Sequence, residues 1–332
     1  MITIQQPNVI DYGDKSRLVI NLNMDGIYKE LWYEVDKEYK KYLCFERSDA
    51  ILIGLLAYAM RSNNDITCVA PVTSELLYNI NQHLLPILKK VHFSWHLPKI
   101  FTETTSNLIE KYGGVGTAIS CGVDSFHSII NHLSNVNDYK PKLTHLVVSN
   151  IGNFHDPGLQ NYGREKIKSN VYDRAKEVSN ILNIPLIISD SNITEVIIGN
   201  GYYPYKTAFS IYAMQKLWNI YLFASSYDYT HFKFTDIIES FYYDLLSMNC
   251  FSTKQLRIYS EGGGFDRVQK TLYIADNPIV QKYLLSCFKS GSNCGLCNKC
   301  RRTMLTLYIF NKLELFKNVF PVQNSLNFLF AN

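Results

Sequence analysis

Four cysteines lie close together near the C-terminus, at a spacing that suits a metal ion. They are Cys287, Cys294, Cys297 and Cys300, within LLSCFKSGSNCGLCNKCRRTMLTL. The short gaps predict a tight turn that directs three thiolates to one point, and the fourth arrives from the end of the preceding helix. Four thiolates in a tetrahedral shell favour structural Zn²⁺, although an iron–sulfur cluster takes the same ligands, and free or redox-active thiols are the third interpretation. Lys299, Arg301 and Arg302 offset the charge of the thiolates.

A second pattern joins a short apolar run to a helix. The loop Ser120-Cys121-Gly122-Val123-Asp124-Ser125 follows a predicted strand at 116–119 and precedes a helix predicted to begin near Phe126. Unpaired N–H groups at a helix N-terminus bind phosphate, and the hydroxyls of Ser120 and Ser125 can donate further hydrogen bonds. Gly122 allows close approach of a ligand, and Asp124 suits a Mg²⁺-mediated contact or a helix cap. An ordinary capped strand–helix junction explains the same six residues.

The string Ser-x-Gly-x-Asp-Ser after a strand resembles the pyrophosphate loop of the N-type ATP pyrophosphatases, which activate substrates as adenylates. Residues 144–153 resemble that family's second strand, and residues 173–192 resemble the helix and strand that follow. Within the family, the sequence is most similar to the 7-cyano-7-deazaguanine synthase group, in which nearly the same cysteine spacing forms a zinc site. The resemblance covers roughly residues 116–310, and residues 153–170 depart from the usual pattern.

This resemblance implies a set of ligands and cofactors, namely ATP, Mg²⁺ and Zn²⁺, with a small-molecule acceptor and a homodimer. The residues expected to hold the pyrophosphate are Ser120, Gly122, Val123, Asp124 and Ser125. The backbone of Val147, Val148 and Ser149 is expected to bracket adenine. Independently of the resemblance, EGGGFDRVQK (261–270) places Arg267 and Lys270 three apart, where they can grip phosphate and stabilise charge in a transition state. A flexible loop with a solvated basic helix is the alternative interpretation of that stretch.

Cys121 stands where the resembled loop commonly has glycine. A thiol beside helix N–H groups is expected to have a lowered pKa, and this one is expected to lie near the α-phosphate. One hypothesis is therefore adenylation of a carbonyl oxygen in a purine-like heterocycle, followed by sulfur transfer from a Cys121 persulfide loaded by a sulfur-donor protein. The alternative is adenylation of a carboxylate and attack by ammonia, which gives an amide or nitrile. A third hypothesis is a non-catalytic nucleotide-binding module of a defence or RNA-modification complex.

Several further residues have both a functional and a packing interpretation. Lys206 with Tyr202, Tyr203 and Tyr205 can line a pocket for a flat substrate, although core packing explains the tyrosines equally. His127 is expected to be a packed helical histidine, whereas His155 and Asp156 are candidates to act near the substrate. Cys44, Cys68 and Cys250 are expected to be small buried apolar residues.

Strands alternating with helices after residue 116 must position these groups. The expected fold is α/β, a doubly wound, mostly parallel sheet of the adenine-nucleotide α-hydrolase-like type, with strands at 116–119, 144–150, 184–190, 219–226 and near 256–262. Because ligands bind beyond the carboxyl ends of such strands, the polar residues found there should share one rim. These residues are Ser120, Ser149, Asp190 and Ser225.

Residues 1–110 are predicted to form a separate small α/β domain before the ATP-pyrophosphatase domain at 111–332. Its expected elements are a hairpin within 17–46 that turns at Asp25-Gly26, a helix at 48–61, a strand at 66–72 and a helix at 74–91 with Ser74 as N-cap.

The composition narrows the class of protein. Of 332 residues, 47% are hydrophobic and 19% charged, which excludes a disordered chain. A net charge of +4 without a dense basic stripe disfavours a dedicated nucleic-acid binder. The longest apolar run, 51–60, is too short to cross a bilayer, and no signal peptide is visible. A cytoplasmic location is therefore expected, in which the cysteines stay reduced.

Overall fold

The computed structural model describes residues 1–133, 140–152, 164–197, 202–234, 240–287 and 291–321. The chain is an α/β protein whose large central sheet is mostly parallel, as predicted. Its strands are β1 (Ile2–Ile4), β2 (Asn8–Tyr12), β3 (Lys15–Met24), β4 (Ile27–Asp36), β5 (Ile66–Cys68), β6 (Val72–Thr73), β7 (Ile100–Phe101), β8 (Thr104–Thr105), β9 (Gly114–Ala118), β10 (His145–Asn150), β11 (Leu186–Ser191), β12 (Trp218–Ala224) and β13 (Arg257–Glu261).

The helices lie between and beyond these strands. They are α1 (Asp49–Arg61), α2 (Ser74–Asn79), α3 (Leu85–Val91), α4 (Val123–Leu133), α5 (Arg164–Leu182), α6 (Ile193–Val196), α7 (Tyr203–Ala213), α8 (Asp244–Cys250), α9 (Arg267–Ala275), α10 (Pro278–Tyr283) and α11 (Asn298–Ile309). A π-helical turn, Ile80–Leu84, joins α2 to α3. The predicted helix at 74–91 is therefore continuous, but its N-cap is Thr73 and not Ser74. The Thr73 hydroxyl is bound to Asp49 and Arg47 and does not cap the helix.

The parallel part of the sheet has the order β13-β12-β9-β10-β11. From β9 the chain proceeds outward to β10 and β11, then returns to place β12 and β13 on the other side of β9. The connections that follow the neighbouring strands β9 and β12 thus run in opposite directions. Such a switch point opens a crevice beyond the carboxyl ends of the two strands, where ligands of doubly wound sheets bind.

The first 110 residues continue the same sheet. Strand β11 pairs antiparallel with β4, at Asp190↔Glu34, and the order then runs β4-β3-β1-β5-β7. The predicted hairpin is confirmed, because β3 and β4 are joined at Asp25 and Gly26, both with positive φ (54° and 87°). Both predicted units thus contribute strands to one sheet, and their division into two domains stays a prediction.

Apolar layers cover both faces of the sheet, because successive strand side chains point to opposite sides. In β10, Val147 belongs to one layer, whereas Leu146 and Val148 belong to the other. Buried residues of α1, α2, α3, α6, α7 and α8 complete the first layer, and those of α4, α5, α9, α10 and α11 complete the second. Helices on both faces give the doubly wound arrangement that the alternation of strands and helices predicted.

Candidate phosphate site and metal centre

The loop between β9 and α4 lies at the switch point of the sheet. Helix α4 begins at Val123, three residues earlier than predicted, because the Gly122 carbonyl already accepts a hydrogen bond from Phe126 N at 3.0 Å. Ser125 Oγ donates to the same carbonyl at 3.1 Å and lies 3.2 Å from Ser120 Oγ. The two hydroxyls therefore face each other across the first turn of α4.

Cys121 is the residue of this loop whose backbone is left-handed, with φ of 56°. This conformation favours glycine, which explains physically why the resembled loop commonly has glycine there. The thiol is fully buried in the apolar layer beside Val123 and Phe126. Burial raises its pKa to about 12, against a smaller opposing effect of Arg174. The expectation of a lowered pKa at Cys121 is therefore wrong, because the thiol is buried in the core.

Two cations from α9 converge on the loop. Arg267 Nη2 lies 2.8 Å from Asp124 Oδ2, and Lys270 Nζ lies 3.4 Å from Asp124 Oδ1. Asp266 caps α9 and Gln269 bonds back to it, so the first turn that carries Arg267 is fixed. The spacing in the sequence thus predicted correctly that Arg267 and Lys270 share a face, and the structure brings both to Asp124.

Two of the three glycines before α9 pack closely, whereas a Cβ on Gly264 would have no neighbour within 4 Å among the described residues. Gly262 has φ of 79°, and a Cβ there would lie 3.0 Å from His127 Nδ1 and 3.2 Å from Lys270 Cε. A Cβ on Gly263 would overlap the Tyr229 ring at 2.0 Å. Glycine at these positions lets β13 turn directly against α4 and the Lys270 side chain.

His127 is a buried, neutral histidine, as predicted. Its ring lies 5.0 Å from the Phe265 ring and 5.1 Å from the Tyr273 ring, and only 1% of the residue is exposed. Burial, and after it the neighbouring Lys270, lower its pKa to about 4. Among the described residues neither ring nitrogen has a hydrogen-bond partner.

The polar strand ends share one rim, as predicted. At β10 and β11, Ser189 Oγ donates to Ser149 Oγ at 3.0 Å, and Asn150 Nδ2 donates to Asp190 Oδ1 at 2.9 Å. Strand β10 runs on to Asn150 beyond Val147, the last residue paired with β9, so its final residues border the loop. The side chains of Val147 and Val148 are buried, so at these two positions only the backbone can contact a ligand.

Two charged residues lie near this site without having been assigned to it from the sequence: Asp244 was not singled out, and Arg302 was assigned only to the charge of the thiolates. Asp244, the first residue of α8, is buried and accepts hydrogen bonds from Ser225 and Ser260 at the ends of β12 and β13. Arg302, on α11, is close enough to Arg267 and Asp124 for both to affect its pKa, which burial lowers first. The sequence signal that could have indicated this role is the position of Arg302 two residues after Cys300, because the cysteine turn and the loop Ser120–Ser125 lie on the same side of the sheet.

The four C-terminal cysteines form a cluster that can bind a metal ion such as zinc. Their sulfur atoms all lie within 4.8 Å of one another, and the sulfurs of Cys287 and Cys294 are 3.6 Å apart. Gly295 takes φ of 74° in the turn between Cys294 and Cys297. Burial alone would raise the pKa of the Cys294 thiol, but the N–H groups of Cys297 and Leu296 lower it to about 7.

Asn293 fixes the cysteine turn from within and was not singled out from the sequence. Its Oδ1 accepts from Ser286 N at 2.7 Å and Cys287 N at 3.1 Å. Its Nδ2 donates to Leu284 O at 2.8 Å and Val319 O at 2.9 Å. One side chain thus joins the segment before the cluster to the chain that follows α11.

The remaining candidates lie in the core or outside the described residues. Tyr202 and Tyr205 are buried, and Tyr203 stacks on Phe241 with 5.2 Å between ring centroids, so packing accounts for these tyrosines. Lys206 is buried, and its Nζ lies 3.3 Å from Thr194 Oγ1. Cys44, Cys68 and Cys250 are buried thiols, as predicted. His155 and Asp156 lie outside the described residues.

Comparison with models of known protein families, with curated proteins and with solved structures found no match. The resemblance to the N-type ATP pyrophosphatases therefore stays a prediction that depends on the residues quoted above. Among the described helices, none has both the length and the apolar character needed to cross a bilayer.

Proposed function

We propose that the protein binds ATP at the loop Ser120–Ser125 and transfers its adenylyl group to an oxygen of a small acceptor. The observation that carries this proposal is the convergence of Arg267 and Lys270 on Asp124 at the switch point between β9 and β12. Two cations and the first turn of a helix suit a polyphosphate, and a crevice at this position suits a nucleotide.

In the proposed reaction, residues of the site assist the transfer of the adenylyl group. The acceptor oxygen attacks the α-phosphorus, and the bond from that phosphorus to the bridging oxygen breaks, so pyrophosphate leaves with the electron pair. Arg267 and Lys270 hold the charge that grows on the leaving pyrophosphate. Asp124 would hold Mg²⁺ against the phosphates, and Mg²⁺ would supply charge neutralisation. The hydroxyls of Ser120 and Ser125 orient the phosphate oxygens.

For the second step we propose attack by ammonia, with release of AMP, in preference to sulfur transfer. A persulfide on Cys121 would have to form on a thiol that is fully buried and whose pKa is about 12. The thiolate is the nucleophile in such chemistry, and neither its formation nor its access to a donor is favoured there. The acceptor is then a carboxylate on a small heterocycle, and the product is an amide. A nitrile would form only if a second ATP adenylates the amide oxygen and AMP leaves with that oxygen.

For the cysteine cluster we propose structural Zn²⁺, held by Cys287, Cys294, Cys297 and Cys300. Sulfur atoms about 3.8 Å apart fit a tetrahedron with Zn–S bonds of about 2.3 Å, close to the 3.6 Å between the first two sulfurs. All four positions are then taken by thiolates, so the ion would stiffen the turn and not act on substrate.

Product analysis tests the reaction. Purified protein with ATP, Mg²⁺ and a panel of carboxylated heterocycles should form AMP and pyrophosphate with ammonium present, and Cys121→Ser should retain this activity. Arg267→Gln should lose at least about tenfold of it, whereas Arg257→Gln, at the opposite end of β13, should not. Products that contain sulfur, formed with a cysteine desulfurase as the persulfide donor and lost in Cys121→Ser, would favour the sulfur hypothesis. ATP binding without AMP formation would favour the hypothesis of a non-catalytic nucleotide-binding module.

A further inference from the structure

Lys206 is a buried cation for which the proposed chemistry has no role. Only 7% of the residue is exposed, and its Nζ lies 3.3 Å from Thr194 Oγ1. Among the described residues, this hydroxyl is the only hydrogen-bond partner of the ammonium, and no carboxylate lies within ion-pair distance of it. Burial lowers the pKa of Lys206, and no charge in the described chain opposes this effect. A buried ammonium is costly unless a negative charge compensates it, so Lys206 is suited to bind an anion.

The other buried lysines show how such a charge is compensated elsewhere in the molecule. In the part of the chain that the structure describes, three lysines are buried, namely Lys206, Lys216 and Lys270. Lys216 Nζ lies 2.5 Å from Glu46 Oε1, and Lys270 Nζ lies 3.4 Å from Asp124 Oδ1. Each of these two has a carboxylate beside it, whereas Lys206 has a neutral hydroxyl. This difference favours a bound ligand as the counter-charge of Lys206.

The Lys206 ammonium lies beyond the carboxyl ends of β10 and β11. Its partner Thr194 belongs to α6, which follows β11, and the Thr194 hydroxyl donates at 2.9 Å to the carbonyl of Ile151, the residue after β10. Gly152 packs closely against the same hydroxyl, because a Cβ there would lie 1.8 Å from it. Ligands of doubly wound sheets bind at this edge, so Lys206 lies where a substrate is expected.

Lys206 and the loop Ser120–Ser125 approach this edge from opposite faces of the sheet. Phe209, on the same helix as Lys206, belongs to the apolar layer that contains Val147. Phe126 of α4 belongs to the other layer, as do the buried apolar residues of α9, which carries the two cations assigned to the ATP phosphates. The anion that suits Lys206 is therefore a different group from those phosphates.

We propose that Lys206 binds the carboxylate of the small acceptor. A lysine ammonium is a compact single charge with three donors, and a carboxylate offers one negative charge and two acceptor oxygens. The pair would be neutral, as the buried pair of Lys216 with Glu46 is. That the carboxylate belongs to the acceptor rests on the proposed function, but the carboxylate site itself does not.

The stability of the ligand-free protein tests the uncompensated charge. In a buffer without carboxylates, Lys206→Met should raise the thermal unfolding midpoint by at least about 2 °C, because it removes a buried charge and keeps an apolar side chain. Lys216→Met, beyond the C-terminus of α7, is the matched control and should lower the midpoint, because Glu46 loses its partner. A midpoint that is unchanged or lower in Lys206→Met would overturn the proposal.

Formate, the smallest carboxylate, is the probe for the site. The unaltered protein should have a midpoint at least about 2 °C higher in sodium formate than in sodium chloride at the same concentration. Lys206→Met should show no such difference between the two salts. Equal midpoints in the two salts for the unaltered protein, or the same difference in both proteins, would overturn the proposal.

Kinetics then separate the carboxylate site from the proposed function. With carboxylated heterocycles, ATP and ammonium, Lys206→Met should raise the KM for the acceptor at least about tenfold, whereas Lys216→Met should not change it. A formate effect that depends on Lys206, in a protein that forms no AMP, would support the carboxylate site and refute the proposed function. AMP formation with the same acceptor KM in Lys206→Met and the unaltered protein would overturn the proposal for Lys206 and support the proposed function.

Discussion

Cysteines stand at the start of two helices in this chain, and their chemistry differs. Cys121 lies just before α4, with a buried thiol whose pKa burial raises to about 12. Cys294 lies in the turn before α11, with a partly exposed thiol. Burial raises its pKa, but the N–H groups of Cys297 and Leu296 in that turn and the thiols of Cys287 and Cys297 lower it to about 7. Proximity to a helix N-terminus is therefore not enough to activate a thiol. The thiol must accept hydrogen bonds from N–H groups, as Cys294 does from Cys297 N, whereas the Cys121 thiol is buried in the apolar layer.

The largest expected difference between Cys294 and Cys121 is in the rate at which each thiol is alkylated. In metal-free protein at pH 7.5, Cys294 should react with iodoacetamide at least about 10³-fold faster than Cys121, because the thiolate is the reactive form. Mass spectrometry of peptides after timed quenching measures both rates in one sample. Equal rates in the folded protein would mean that Cys121 is accessible and that its buried position is wrong.

Loss of the metal should affect stability strongly, because the cluster joins the segment before Cys287 to α11. Cys297→Ser, or removal of the ion by a chelator, should lower the thermal unfolding midpoint by about 10 °C. Cys250→Ser is the matched control, a buried cysteine outside the cluster, and should lower it by less. A folded, metal-free Cys297→Ser protein with an unchanged midpoint would contradict a structural metal site.

The start of α4 also keeps a histidine neutral, which predicts a dependence of stability on pH. His127 has a folded-state pKa of about 4, below the usual value of 6.5. The contribution of the neutral His127 to the free energy of unfolding is therefore complete above pH 6.5. It is lost as the pH falls from there to about 4, because the unfolded chain binds the proton at a higher pH than the folded chain does. The loss should total about 3 kcal/mol.

Urea unfolding at several pH values measures this effect. The unaltered protein should lose stability more steeply below pH 6.5 than His127→Gln, whereas His83→Gln, at an exposed site, should behave like the unaltered protein. Parallel curves for the unaltered protein and His127→Gln would show that the imidazole is not held neutral.

The smallest effect concerns the backbone of Cys121. Cys121→Gly relieves the left-handed conformation but removes a buried side chain, so stability should change by less than about 1 kcal/mol. Cys68→Gly loses a similar side chain in β5 with no such relief and should cost about 2 kcal/mol. Equal losses in denaturant unfolding would mean that the φ of Cys121 carries no strain.

The strength of the local patterns decides how much the sequence could predict. Alternating strands and helices, the Asp25-Gly26 turn and the cysteine spacing are local signals, and the structure confirms the elements they predicted. The spacing of Arg267 and Lys270 likewise predicted a shared face. The pairing of β4 with β11 has no local signal, because it joins residues that are distant in sequence. The direction of the Cys121 side chain depends on one positive φ, which its residue type does not favour.

Asp244 shows why part of the candidate site could not be predicted. It is the first residue of a short helix, and its neighbours Ser225 and Ser260 reach it only because β12 and β13 are adjacent in the folded sheet. A lone Asp in the sequence carries no such information. Asp244 becomes a residue of interest only through its burial and its proximity to Lys270, and both are properties of the fold.

Equilibrium binding of ATP with Mg²⁺ tests the central claim most directly. Calorimetry should show binding to the unaltered protein, weakened at least about tenfold by Arg267→Gln and unchanged by Arg257→Gln. Thermal unfolding of each variant confirms that it is folded. No binding to the unaltered protein, or equal affinity in Arg267→Gln, would contradict a nucleotide phosphate site between β9 and β12.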